Sequence, residues 1–210
     1  MTTLNTYEEL SSLLSEQSAL IVHCAGFAKG VGSAKTNSYS YLERLQYAIK
    51  TSDIELPCST IIPGDAHTWQ RMNYTGKVGI VIRPNKIESI TYASPTDAGS
   101  QIDPTNSKRR STTLPQATIG TIRSAILDRY PDRYNELGVM DYTVMGVFVD
   151  PPVQFMENGN LQDLNAEEVL AQFPDQRWFC LQQGRLYEVC RTGDGRLSCG
   201  SRIEVPSLYT

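Results

Sequence analysis

The 210-residue chain holds only two histidines, His23 and His67, and five cysteines, Cys24, Cys58, Cys180, Cys190 and Cys199, an odd number with no C-x-x-C pair. Neither a full disulfide framework nor a structural zinc site is expected from that pattern, and a reducing cytosol is the simpler compartment. No H-E-x-x-H or similar ligand spacing occurs, which speaks against metal catalysis. Long apolar runs are absent as well: none approaches the ~20 residues that cross a bilayer. The opening MTTLNTYEEL lacks the basic start and apolar stretch of a signal peptide. The expectation is a protein that neither sits in a membrane nor exports itself. Positive charge is in deficit, with a net charge of −4 and an isoelectric point near 5.2, which excludes coating nucleic acid by bulk electrostatics. Nucleotide-binding signatures are missing too. Gly26, Gly30 and Gly32 do not match G-x-G-x-x-G, and no G-x-x-x-x-G-K-[ST] exists, so a Rossmann domain is disfavoured.

What is present suffices for one core. At 40% hydrophobic residues and a mean hydropathy of −0.31, a chain of this length buries roughly 70% of its unfolded surface, and a single domain over residues 1–210 is expected. Thr6 and Glu9 have capping-box spacing, and Leu10, Leu13 and Leu14 share a helical face, predicting a helix over about 6–17. The β-branched run from Ala19 to Cys24 reads as a buried strand feeding the loop GFAKGVGSAKTNS. Leu42, Leu45 and Ile49 support a helix over about 39–51, and Ile119, Ile122 and Ile126 support another ending near Pro131. Pro57 and Pro63 bracket a strand confined to an edge or a short crossing.

Residues 77–82 and 87–92, separated by Arg83-Pro84-Asn85-Lys86, read as a hairpin. Residues 94–117 form a long polar loop, a length usually functional or mobile. Two strands follow over 136–140 and 142–149, then a short helix from Asn165 to Pro174. Antiparallel strands at 178–181, 185–190, 197–199 and 203–205 make a β-rich C-terminal extension over 151–210. Strands joined by tight turns favour an α+β fold with antiparallel sheets over a doubly wound one.

Three strand-borne segments can carry chemistry: Val22-His23; Cys58-Ser59-Thr60-Ile61; and Tyr134-Asn135-Glu136-Leu137-Gly138-Val139, followed by the apolar strand Thr143–Val149. In this order and spacing the region from about residue 18 to 150 resembles the mono-ADP-ribosyltransferases, NAD-consuming toxins and effectors. Their signature is an Arg or His on an early strand, a Ser-Thr-Ser or Tyr element at a middle strand, and a catalytic Glu opening a late strand. The resemblance implies antiparallel sheets around a ligand cleft with flanking helices, Glu136 as the catalytic residue, and His23, Ser59, Thr60 and Tyr134 as NAD-binding residues. Ile61 stands at the third position of Ser-Thr-Ser, and Tyr134 stands where enzymes modifying Arg, Asn or Gln carry Glu or Gln. Both departures bear on the acceptor, which the resemblance leaves as a protein or a nucleic acid. It further implies a toxin or effector, cytoplasmic or delivered into a target cell's cytosol, with an antitoxin or immunity protein as partner.

The chemistry is coherent without the family. Breaking the nicotinamide–ribose bond develops oxocarbenium character, and a carboxylate accepting from the ribose 2′-hydroxyl stabilises that charge without being consumed. Glu136 suits this task, with Ser59 supporting it or the ribose and His23 holding the adenosine ribose. The plainer alternatives are a solvated edge charge at Glu136 and a satisfied core histidine at His23. Asp97-Ala98-Gly99-Ser100 with Lys108-Arg109-Arg110 suits a loop closing on an anionic ligand or, equally, an exposed turn. From Lys108 to Arg133 six Lys/Arg face two Asp, which keeps a nucleic-acid acceptor open. Two other classes stand beside the transferase. One is a non-catalytic interaction module of a defence or secretion complex. The other is a cysteine hydrolase using Cys24 or Cys58, His67 as base and Asp65 or Asp97 as orienter, for which no local signature is present.

Overall fold

The computed structural model describes residues 6–25, 39–52, 54–62, 78–95, 117–127, 135–149, 153–157, 160–164, 166–182, 185–194 and 196–209. In chain order the elements are α1 (Thr6–Glu16), β1 (Leu20–Ala25), α2 (Tyr39–Lys50), β2 (Leu56–Ile61), β3 (Val78–Pro84), a 3-10 turn (Ile87–Ser89) and β4 (Ile90–Ser94). These are followed by α3 (Ile119–Leu127), β5 (Glu136–Val139), β6 (Tyr142–Val149), β7 (Val153–Glu157), β8 (Asn160–Leu164), α4 (Ala166–Leu170), β9 (Trp178–Gln182), β10 (Arg185–Arg191), β11 (Leu197–Arg202) and a 3-10 turn (Val205–Leu208). The fold is mixed α+β, with a large, mostly antiparallel sheet in the order β11-β10-β9-β6-β3-β1-β2-β5-β4 and a separate β7-β8 hairpin. Among the described residues no helix is long and apolar enough to cross a membrane.

The helices form where apolar side chains recur at helical spacing and find the sheet. Leu10, Leu13 and Leu14 of α1, Leu42, Leu45 and Ala48 of α2, and Ile122, Ala125 and Ile126 of α3 are all buried. Each large aliphatic side chain so removed from water contributes about 1.5–3 kcal/mol before conformational entropy is charged against it. The β-branched runs of β1 and β3 occupy the middle of the sheet. Val78, Ile80, Val81 and Ile82 are all fully buried, as a strand covered on both faces requires.

The pairing of β3 overturns the expected hairpin of residues 77–82 with 87–92. β3 pairs with β1 on one side and β6 on the other, whereas β4 pairs with β5 at the far edge of the sheet. The chain between them lacks a glycine for a tight primed turn. Instead it crosses a corner where Asn85 and Asp141 meet: Asn85 Nδ2 donates to Asp141 Oδ1 at 2.9 Å, and the Asn85 N–H donates to the Asp141 carbonyl at 3.1 Å. Asp141, at φ 49°, turns the chain from β5 into β6, so these consecutive strands also lie in different parts of the sheet.

The C-terminal meander β9-β10-β11 forms as expected, but it joins the main sheet through a parallel pairing of β6 with β9. Residues 203–205 are not a strand: Val205 opens a 3-10 turn, and Ile203 donates its N–H to Leu186. Tyr209 then returns to the first elements. Its hydroxyl accepts from the Ile21 N–H at 2.9 Å, and its carbonyl accepts from Ser11 Oγ at 2.9 Å. Burial pushes the Tyr209 hydroxyl well above the usual tyrosine range, so it stays protonated.

Candidate active site

β2 changes partner along its length. Ser59, Thr60 and Ile61 pair with Val22, Ile21 and Leu20 of β1, while Leu56, Pro57 and Cys58 pair with Val139, Gly138 and Leu137 of β5. The sheet therefore forks between Cys58 and Ser59, realising the short crossing that the flanking prolines predict. Residues on one strand alternate their backbone polar groups, so Pro57 turns its missing N–H and its carbonyl toward β1, where the ladder has ended.

A side chain closes each side of the fork. On the β1 side, His23 Nδ1 donates to the Pro57 carbonyl at 2.8 Å. A carbonyl can only accept, so Nδ1 carries the proton and Nε2 is the acceptor in the neutral ring. Burial, with a smaller contribution from the Arg44 charge, lowers the His23 pKa and favours that neutral form. On the β5 side the backbone pairing with β2 stops at Leu137, and Asn135 continues the ladder with its side chain. Its Oδ1 accepts from the Thr60 N–H at 2.9 Å, and its Nδ2 donates to Thr60 Oγ1 at 2.5 Å and to the Ala125 carbonyl of α3 at 2.8 Å. Ser59 Oγ in turn donates to the Asn135 carbonyl at 2.9 Å. Asn135 is fully buried, and these bonds meet the requirement that buried polar groups be paired.

Glu136 follows directly, at the start of β5 and only 5% exposed. An ionised carboxylate is costly to bury without donors. One donor is the Tyr92 hydroxyl of β4, 2.6 Å from Glu136 Oε1, the short geometry of a charge-assisted bond. Tyr92 stands opposite Gly138, two residues beyond Glu136 and on the same face of β5. A Cβ at Gly138 would overlap the Tyr92 ring and the Thr91 hydroxyl, so this position needs glycine for the phenol to lie across β5.

Of the residues singled out from sequence, His23, Ser59, Thr60 and Glu136 are thus brought onto three neighbouring strands around one fork, but the register puts Ser59 and Glu136 on one face of the sheet and His23 and Thr60 on the other. Thr60 is buried, with both its N–H and its hydroxyl engaged by Asn135, so it holds the strands together. Tyr134 lies outside the described residues, as do His67, Asp65, Asp97 to Ser100 and Lys108 to Arg110. Cys58 is buried, and its thiol donates to the Leu56 carbonyl at 3.4 Å. Burial, followed by the neighbouring Cys24, Glu136 and Glu55, raises its pKa well above the normal thiol range, so it is a poor source of thiolate. Among the described residues no group of three His, Cys, Asp or Glu side chains could hold a metal ion.

Sequence reasoning assigned no role to Asn135 or Tyr92. Asn135 stands inside the motif itself, and its polarity beside an apolar strand was the available signal. Tyr92 gives no local signal, because its partner is 44 residues away. No protein-family model and no curated protein matches the chain.

Proposed function

We propose that the protein is an NAD-dependent ADP-ribosyltransferase with an ADP-ribosyltransferase-like fold, in which Glu136 is the catalytic residue. The observation that carries the reading is a buried, hydrogen-bonded carboxylate that opens β5 on the same face of the sheet as Ser59 of β2. Glu136 accepts from the 2′-hydroxyl of the nicotinamide ribose and stabilises the positive charge that develops at C1′ as the bond to nicotinamide breaks. The electron pair of that bond leaves with the pyridine nitrogen, the acceptor oxygen or nitrogen bonds to C1′, and its proton passes to solvent. His23 is kept as an NAD contact on the family resemblance alone, since its side chain lies on the face of the sheet opposite Glu136 and Ser59. Ser59 fixes the backbone entering β5 and offers its oxygen to the ribose. Thr60 and Asn135 are positioning residues beneath them, and Tyr134 adds an NAD contact on the strength of the family resemblance.

The acceptor is a protein or a nucleic acid, met in the cytosol of the producing or of a target cell. Such an activity in a host calls for an antitoxin or immunity protein. The buried, proton-retaining Cys58 weighs against its serving as nucleophile in the cysteine-hydrolase alternative, which leaves Cys24 as that reading's candidate. The test is labelling: with NAD carrying a radiolabel on the adenylate phosphate and a cell lysate as acceptor, the native protein transfers label to protein or nucleic acid and Glu136→Gln does not. Absence of both NAD binding and transfer would replace this reading with that of a non-catalytic interaction module.

A further inference from the structure

We infer that Tyr92 is a positioning residue for Glu136, one that sets the orientation of the carboxylate during turnover of NAD; this rests on the transferase reading above. The terminal torsion of a glutamate is broad and roughly two-fold, so a carboxylate left to itself samples many orientations. Here the phenol takes Oε1 at 2.6 Å from inside the protein, on a strand whose register fixes where the ring lies. Two further features show that this contact is built. Gly138 leaves room for the ring where any side chain would collide with it. Tyr92 is itself buried, so its hydroxyl is held against the carboxylate with little competition from water. Thr91, next in the chain, donates to Glu55 Oε2 at 2.7 Å and ties the same stretch of β4 to the segment entering β2. A bond that orients a catalytic group without touching substrate contributes to the rate of the chemical step and little to substrate affinity.

The experiment follows nicotinamide release from NAD with water as acceptor. Water bonds to C1′, the C1′–nitrogen bond breaks with its electrons passing to nicotinamide, and one proton is released. Tyr92→Phe keeps the ring and removes only the hydroxyl. Its kcat is expected to fall about tenfold to hundredfold with KM within about threefold of the native value. In a Glu136→Asp background, where the shorter side chain withdraws the carboxylate from the phenol, the same Tyr92→Phe change is expected to cost about twofold at most. Melting curves of each variant show whether the fold is retained.

Native kcat in Tyr92→Phe, or an equal loss in both backgrounds, overturns the positioning role while leaving the transferase intact. A rise in KM at unchanged kcat also overturns it, since Tyr92 would then act on binding. Release that is undiminished in Glu136→Gln, or a native protein that neither releases nicotinamide with water nor labels a lysate acceptor, overturns the transferase reading and this inference with it.

Discussion

Asn135→Ala is expected to destabilise the protein far more than a substitution at one loop-to-strand junction ordinarily would. The change removes three side-chain hydrogen bonds, to the Thr60 N–H, Thr60 Oγ1 and the Ala125 carbonyl, at a fully buried position. Each such bond contributes about 1 kcal/mol net, and a buried N–H left without an acceptor costs about 1–3 kcal/mol, so the expected loss is about 3–5 kcal/mol. For a chain of this size that is a fall in Tm of about 6–20 °C. Thr60→Val, which keeps the acceptor of the Thr60 N–H but leaves one buried Asn135 Nδ2–H without its partner, is expected to cost about 1–3 kcal/mol. The double variant should lose less than the two single losses combined, because the pair shares a bond. Urea denaturation followed by circular dichroism measures all three. A loss in Asn135→Ala under about 1 kcal/mol, or strict additivity with Thr60→Val, would refute the idea that Asn135 extends the β5 ladder across the fork.

Two further outcomes follow from the ionisable groups at the fork. Because the folded state holds the His23 pKa below the usual 6.5, the unfolded chain binds the proton more readily. The stability contributed by the neutral ring is then present above about pH 6.5 and is lost as pH falls below it. Denaturation midpoints between pH 7.5 and 5.5 should therefore fall more steeply for the native protein than for His23→Gln. Equal slopes would contradict the assignment. Cys58, whose thiol is kept protonated by burial, should resist a thiol-alkylating reagent in the native protein and react at the rate of an ordinary thiol once urea unfolds it. Rapid modification of native Cys58, read by peptide mapping, would show that the thiol is reachable.

Much of the fold around the fork could be read from the chain because its parts are local patterns. The β-branched run from Ala19 to Cys24 reads as a buried strand, and Glu136 heads a short apolar segment that suits a sheet. The helices announced themselves by Leu10, Leu13 and Leu14, by Leu42 and Leu45, and by Ile122 and Ile126. What escaped is what only long-range pairing decides. Arg83 to Lys86 looks like a turn, yet Val78–Pro84 needs a partner on each edge and takes β1 and β6 instead of β4. Residues 153–164 carry no strong alternation, and the β7-β8 hairpin there went unread. The parallel seam between β6 and β9 spans a long crossover that no local signal marks. Asn135 and Tyr92 act through partners 75 and 44 residues distant, and Gly138 is required by a ring on another strand.

The most direct test of the central claim is the rate of nicotinamide release from NAD by the native protein and by Glu136→Gln under the same conditions. The substitution is nearly isosteric, and the Tyr92 hydroxyl can still donate to the amide oxygen, so the fold and NAD affinity should be close to native. The transferase reading predicts measurable release by the native protein and a loss of about 100-fold or more in kcat for the variant. Release by Glu136→Gln at the native rate would contradict it.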